Sequence, residues 1–287
     1  MGFKRKWGEM GTEDGQFGRP VALSIYNEEV YVSDSFNNRI QVFDLKGTFA
    51  RKWGSGEWGN PEYLFPLGIS IYEGLVFAVN DGVDKIMVYD LEGNLVRYWD
   101  VPQEEPPQTN YSYGICVYAD EVYVTERATY LVRVYTPTGG YKRKWGGYGT
   151  GNGQFQGISH ISIYKDEVFV ADAYNHRIQV FEPDGTFKRK WGSYGTEDGQ
   201  FQYPYGVFVY ADQVFTLEYG GDRIQRFTLA GKFKTTFGEG GYENGQFDTA
   251  EGLCVYGNRM AVVADSGNNR IQVIGPGLQY LTVMGIG

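Results

Sequence analysis

The chain has 287 residues and a formal net charge of −9, with glycine at 41 positions and aromatic residues at 17% of them. This acidic balance argues against binding to a nucleic-acid backbone, and no apolar run approaches the roughly 18 residues of a membrane span. Abundant glycine and aromatic residues are typical of short strands joined by tight turns. The first ten residues lack the apolar stretch of a secretory signal, so we expect a cytoplasmic protein.

The first predicted element is an unaccompanied strand, FKRKW at 3–7. Its motif then returns through the chain as the last strand of a repeat. One aromatic residue marks the repeat every 46 residues: Trp7, Trp53, Trp99, Trp145, Trp191 and Phe237. We divide the chain, as a single domain, into six copies at 8–53, 54–99, 100–145, 146–191, 192–237 and 238–285.

Each copy contains four strand signals separated by turn signals, with no helical periodicity between them. In the fourth copy the strand signals cover 160–164, 167–172, 177–181 and 186–191. Short repeated strands of this kind predict an all-β fold, a six-bladed β-propeller of four-stranded antiparallel blades. The strand at 3–7 and a second candidate at 279–284 compete for the outer edge of the last blade. We predict that the N-terminal strand takes this edge, so that terminal strand pairing closes the ring.

The repeat motif itself is distinctive. The fourth copy reads WGGYGTGNGQFQG at 145–157 and VFVADAYNHRIQVFEPDGTFKRKW at 168–191. This pattern resembles the NHL repeat family over essentially the whole chain, although the second and third copies depart from it. The resemblance implies a six-bladed propeller. It leaves function open, because the family includes RNA-binding domains, protein-binding domains, sensor domains and a lyase.

A carboxylate or amide ends the second strand of every copy, five residues before a basic residue in most of them. The pairs are Asp34/Arg39, Asn80/Lys85, Asp172/Arg177, Glu218/Arg223 and Asp265/Arg270. Recurrence predicts a scaffold role, in which the carboxylate accepts hydrogen bonds from the turn and faces the guanidinium. In the third copy Leu131 replaces the arginine. Either Arg133 pairs with Glu126 instead, or Glu126 is available to bind a ligand.

Few residues are candidates for catalysis or metal binding. The chain has two histidines, and His160 replaces a glycine of the innermost strand, so we expect it in the central channel, either as packed core or as a channel group. Cys116 and Cys254 share one repeat position three blades apart, too far for a disulfide. We therefore predict free thiols, no catalytic residue, no metal site and no cofactor.

The long loops and the second-to-third turns emerge on one side of a propeller, here called the loop face. Their sequences combine carboxylates with aromatic residues, which suits a basic protein or peptide partner. We predict a non-enzymatic binding or scaffold propeller, monomeric, without membrane contact and with nucleic acid disfavoured. The candidate partner-binding residues are Phe36, Tyr130, Tyr174, Tyr219, Glu126, Glu218 and Tyr205. The alternatives are a metal-dependent lyase or hydrolase acting at the channel and an RNA-binding NHL domain.

Overall fold

The computed structural model describes residues 2–54, 63–102, 112–257 and 260–275. These residues form six four-stranded sheets, which are the blades of a propeller. Blade 1 consists of β2 (Pro20–Tyr26), β3 (Glu29–Asp34), β4 (Arg39–Asp44) and β5 (Phe49–Trp53); blade 2 of β6 (Pro66–Tyr72), β7 (Leu75–Asn80), β8 (Lys85–Tyr89) and β9 (Leu95–Asp100); blade 3 of β10 (Ser112–Tyr118), β11 (Glu121–Glu126), β12 (Leu131–Tyr135) and β13 (Tyr141–Gly146). Blade 4 consists of β14 (Ile158–Tyr164), β15 (Glu167–Asp172), β16 (Arg177–Phe181) and β17 (Phe187–Trp191); blade 5 of β18 (Pro204–Tyr210), β19 (Gln213–Glu218), β20 (Ile224–Thr228) and β21 (Phe233–Phe237). Blade 6 consists of β22 (Gly252–Tyr256), β23 (Met260–Asp265), β24 (Arg270–Gly275) and the N-terminal strand β1 (Gly2–Trp7).

The N-terminal strand closes the ring. β1 pairs antiparallel with β24, with Gly2 opposite Gly275 and Trp7 opposite Ile271. The predicted closure by terminal strand pairing is therefore confirmed, as is the all-β class with four-stranded antiparallel blades. The competing candidate at 279–284 lies outside the described residues.

Burial follows the position of each strand within its blade. The second strand is buried on both faces because neighbouring blades cover it, as in β15, where all residues after Glu167 are buried. The outermost strand has one covered face, so burial alternates along β17. Charged residues on this exposed edge, such as Lys188 and Lys190, discourage pairing with other chains.

The tryptophan of the outermost strand contacts the next blade. The rings of Trp7 and Phe43 have centroids 5.8 Å apart, and those of Trp145 and Phe181 lie 6.3 Å apart. Each indole also covers a hairpin glycine of that blade. A Cβ on Gly47 would lie 2.6 Å from Trp7 Cδ2, and its φ of +91° also favours glycine. The repeating aromatic residue therefore joins each blade to the next.

The first strand of each blade lines the central channel. A cavity of about 160 Å³ lies along the axis, with Ser24, Ser70, Cys116, Ser162 and Cys254 among the residues that line it. Within the part of the chain described here, no helix is long and apolar enough to cross a membrane.

Candidate functional site

The carboxylate, or in blade 2 the amide of Asn80, that ends a second strand holds the long loop on the loop face. Asp172 accepts hydrogen bonds from Arg177 Nε at 2.7 Å and from the Gln156 backbone N–H at 2.8 Å. Arg177 in turn donates to the backbone oxygens of Thr150, Gly151 and Gln154 in the long loop. The same arrangement recurs around Asp34. The pair is thus a clamp that holds the long loop against the blade.

Glu126 and Glu218 occupy this clamp position. Both side chains are wholly buried. Glu126 forms an ion pair with Arg133 at 2.5 Å and accepts a hydrogen bond from Thr129 at 2.6 Å, while Glu218 accepts one from Arg223 Nε at 2.7 Å. Arg133 therefore replaces the missing arginine. The expectation that these two carboxylates face a partner is corrected: they lie inside the scaffold.

The aromatic candidates surround the channel on the loop face. Phe36 is 61% exposed, Tyr174 52% and Tyr219 37%. Tyr130 is half-buried and its ring lies 5.0 Å from that of Tyr148. Tyr205 is buried and stacks on Tyr219 with centroids 4.9 Å apart. Three of the five candidates thus present an exposed ring.

Inside this aromatic surround, at the channel mouth, lies a pocket of about 520 Å³. Its walls combine two guanidinium groups and one carboxyl with apolar and aromatic side chains. The lining residues are Arg19, Phe65, Leu67, Asp81, Tyr113, Arg127, Ala128 and Tyr130.

One charged pair in the pocket joins the first and last blades. Arg19 Nη2 donates to Glu251 Oε1 at 2.7 Å, and Arg19 Nε donates to the same oxygen at 3.1 Å. The Tyr113 hydroxyl donates to Glu251 Oε2. Burial and the Glu251 charge raise the pKa of Tyr113 well above its usual value, so its hydroxyl keeps its proton at neutral pH. Both carboxylate oxygens of Glu251 therefore already accept hydrogen bonds behind the pocket wall.

The second guanidinium lies between two tyrosine rings. Arg127 Cζ lies 5.1 Å from the ring centroid of Tyr113 and 5.3 Å from that of Tyr205. Its Nη2 donates to the Tyr205 hydroxyl at 2.8 Å. Tyr113 and Tyr205 meet edge to face at 5.9 Å. The aromatic contacts hold the guanidinium at the mouth without neutralising its charge.

Asp81 supplies the carboxyl. Its Oδ1 is buried and has no hydrogen-bond partner among the described residues. Burial first, and then the charge of Asp84, raise the pKa of Asp81 to about 7, against the lowering influence of Arg127. A group that changes protonation near neutral pH therefore faces the pocket.

Comparison with known families agrees with this architecture. The family model described as a 6-bladed beta-propeller, DUF5128, matches residues 11–113 and 153–238, which together exceed half of the chain. The chain belongs to this family. No curated protein matches it.

Solved structures share the fold of this family member. Virginiamycin B lyase from Staphylococcus aureus is similar with a TM-score of 0.64 and 16% identity, covering 95% of this chain and 99% of that one. A Bacteroides thetaiotaomicron protein of unknown function has a TM-score of 0.75 at 12% identity, with 94% and 76% covered. A chain of a nidogen/laminin complex gives 0.60 at 17% identity, with 77% and 80% covered. At these identities the likeness extends to the fold alone.

His160 lies where the sequence places it, on the innermost strand of blade 4 of this propeller. It lines the channel cavity, its ring meets Tyr113 edge to face at 5.4 Å, and its Nε2 is buried without a hydrogen-bond partner among the described residues. Burial lowers the pKa of His160 to about 4, so the imidazole is neutral at physiological pH. Its place in the channel agrees with either role considered from the sequence.

The cysteine thiols and the possible metal ligands among the described residues show no reactive arrangement. Both cysteines are free thiols, and burial raises the pKa of Cys116 to about 11 and that of Cys254 further. Across residues 2–54, 63–102, 112–257 and 260–275, no three His, Cys, Asp or Glu side chains cluster as metal ligands would.

Sequence reasoning missed Asp81, Arg127 and Tyr113. Asp81 and Arg127 occupy the position directly after the carboxylate or amide that ends the second strand. In the six copies this position carries Ser35, Asp81, Arg127, Ala173, Tyr219 and Ser266. Tyr113 belongs to a second variable position, where the copies carry Val21, Leu67, Tyr113, Ser159, Tyr205 and Glu251. Aligning the copies would have marked these two positions as variable beside constant neighbours, although not which of their side chains meet in one pocket.

Proposed function

We propose that this protein is a non-enzymatic binding propeller, built from NHL-type repeats, that recognises a segment of a protein or peptide at the channel mouth of its loop face. The observation that carries the proposal is the pocket at the channel mouth, surrounded by exposed aromatic rings. Phe36, Tyr174 and Tyr219 present large apolar surfaces to solvent. Aromatic groups of this kind are the usual anchors of protein interfaces.

The charge of the surrounding loops supports a partner of basic character. Exposed carboxylates recur along the long loops, at Glu9, Glu13, Glu197, Glu239 and Glu243 among others. Such a rim attracts a basic segment over a distance and raises the rate of association. The same rim repels phosphate groups, which disfavours the RNA-binding alternative. We propose that the protein works as a monomer in the cytoplasm without a membrane or nucleic-acid partner.

The enzymatic alternative has less support. A thiol nucleophile reacts as its thiolate, and the raised pKa values keep Cys116 and Cys254 protonated at neutral pH. The metal-dependent lyase or hydrolase comes from the resemblance to the repeat family, and the similarity to virginiamycin B lyase, at 16% identity, adds only a likeness of fold.

The proposal is tested by selecting peptides that bind the protein and then replacing aromatic residues of the loop face. Peptides with free C-termini, displayed at random on the capsid of phage T7, are selected on the protein and measured by fluorescence polarisation. Replacing Phe36, Tyr130, Tyr174 and Tyr219 together with alanine should weaken binding more than a hundredfold, because each buried anchor contributes about 2 kcal/mol. The matched control replaces Tyr141, which is 53% exposed on β13, and Tyr256, which is 36% exposed at the opposite end of β22.

The charge of the rim is tested separately. Replacing Glu239 and Glu243 with glutamine should slow association and reduce its salt dependence, with little change in dissociation. Glu104 and Glu105, which the sequence suggests for the same role, lie outside the described residues. Peptides that bind the aromatic variant as tightly as the parent, or that crosslink only to the opposite face around Lys46, Glu92 and Lys165, would contradict the proposal.

A further inference from the structure

One guanidinium at the channel mouth has unused donors. Among the described residues Arg127 donates one hydrogen bond, to the Tyr205 hydroxyl, and has no carboxylate within ion-pair distance. An arginine carries five N–H donors, so most of those of Arg127 are left for a ligand. Arg19, in the same pocket, differs because Glu251 already balances its charge at 2.7 Å. Within the described part of the chain, Arg127 is therefore the pocket guanidinium that has no ion-pair partner.

Asp81 lines the same pocket as Arg127 without forming an ion pair with it. Its buried Oδ1 lacks a donor among the described residues, which is a costly state for a carboxylate oxygen. Protonation removes that cost, and the protonated carboxyl then offers an O–H donor. A ligand group that accepts from Arg127 on one side and from this O–H on the other satisfies both residues.

We propose that the channel mouth binds a carboxylate carried on an aromatic or apolar body. The planar fork of Arg127 matches the two oxygens of a carboxylate, and Phe65, Leu67 and Tyr130 enclose the body. This inference deepens the proposed function, because it concerns the end of the ligand that enters the same pocket. The carboxylate belongs either to the C-terminus of a peptide or to a small aromatic acid.

The proposal implies a definite pH dependence. The charged groups that face Asp81 are Asp84 from its own turn, Arg127 from blade 3 and, across the pocket, Arg19 with Glu251 behind it. The Tyr113 hydroxyl stays neutral throughout. Because the pKa of Asp81 is about 7, Asp81 donates to the ligand below that pH and repels it above. Affinity should be constant below pH 7 and fall by up to about tenfold per pH unit above it.

The test uses hippurate as the probe, with hippurate methyl ester and inorganic phosphate as comparisons, each titrated calorimetrically into the whole protein. We expect hippurate to bind and the ester not to. We also expect hippurate to bind roughly 30-fold more tightly at about pH 6 than at about pH 8.5. Asp81→Asn keeps a donor and removes the titration, so this variant should bind equally at both pH values.

Two arginine variants complete the experiment. Arg127→Gln should weaken hippurate binding by roughly tenfold to a hundredfold. The matched control is Arg226→Gln. Arg226 is half-buried like Arg127, and its Nε has no hydrogen-bond partner among the described residues, but it lies on β20, opposite Phe215 and Thr235. Melting temperatures confirm that each variant is folded.

The outcomes separate this inference from the proposed function. Equal binding of ester and acid, undiminished binding by Arg127→Gln, tighter binding of phosphate, or no hippurate binding at about 10 mM would each overturn the carboxylate proposal. If selected peptides bind equally well with an amidated C-terminus, peptide recognition stands and the carboxylate inference fails. If hippurate binds through Arg127 and no peptide is selected, the inference stands and the source is a small molecule.

Discussion

Removing residues 1–7 should destabilise the whole ring, because β1 is the outer strand of blade 6. Trp7 is half-buried and contacts Phe43, so its side chain alone contributes about 3 kcal/mol if roughly 120 Å² of its surface leaves water. Deletion also exposes the edge of β24. We expect a decrease in melting temperature of roughly 6–10 °C, measured by circular dichroism at 218 nm or by calorimetry.

The repeat provides an internal standard for this prediction. Trp145 contacts Phe181 in blade 4 as Trp7 contacts Phe43 in blade 1, with interplanar angles of 48° and 49°. Trp7→Ala and Trp145→Ala should therefore cost similar free energies of unfolding, about 2–4 kcal/mol each. An unchanged melting temperature after the deletion, or a silent Trp7→Ala beside a destabilising Trp145→Ala, would show that another segment fills the edge of blade 6.

Three further predictions concern the scaffold and the channel. Trp145→Phe should change the free energy of unfolding, measured by urea titration, by less than about 1.5 kcal/mol. The substitution keeps an aromatic ring and removes a buried indole N–H that has no partner among the described residues. A loss as large as that of Trp145→Ala would contradict this. Asp172→Ala should lower the free energy of unfolding by about 3–5 kcal/mol, because it leaves Arg177 buried and unpaired. Asn80→Ala leaves no such charge and should lower it less. Equal losses would refute the clamp. His160 is neutral in the folded protein down to about pH 4 and protonates near pH 6.5 when unfolded, so stability should fall as pH decreases from 6.5 to 4. Most copies carry glycine at the position of His160. His160→Gly should therefore reduce the loss of stability between pH 6.5 and pH 4 by at most about 3 kcal/mol, and an unchanged loss would count against a buried neutral imidazole.

The fold could be predicted from the sequence because every copy repeats the same residue types at the same positions. A single tryptophan could belong to a core, a turn or an interface. Five at a fixed spacing, each at the end of a lysine-rich or arginine-containing strand, define one position in a repeated unit. The orphan strand at 3–7 carries the same residues, so its place in blade 6 could be predicted before β1 was seen to pair with β24.

The pocket could not be predicted in this way, because its residues come from different blades. Arg19 and Glu251 are 232 positions apart, and Tyr113 is 138 from Glu251. Periodicity within one copy says nothing about which side chains meet across the ring. Glu126 illustrates a second limit. Residues 131 and 133 share one face of a strand, so Arg133 could replace the absent arginine, but only the structure shows that it does.

Within each copy, some positions hold the scaffold together and others vary, which explains how a repeated scaffold forms an asymmetric site. The clamp carboxylate, its arginine and the repeating tryptophan use the positions that hold loop to blade and blade to blade. The next residue along the chain is not part of the clamp, and the six copies differ there. In blades 1 and 6 it is a serine, Ser35 or Ser266, whose hydroxyl donates to a backbone oxygen of the following blade. Because every blade places this position directly after its second strand, on the loop face, substitutions there can change that face without altering the clamp. In blades 2 and 3 they brought an acid and a base, Asp81 and Arg127, into one pocket without disturbing a clamp.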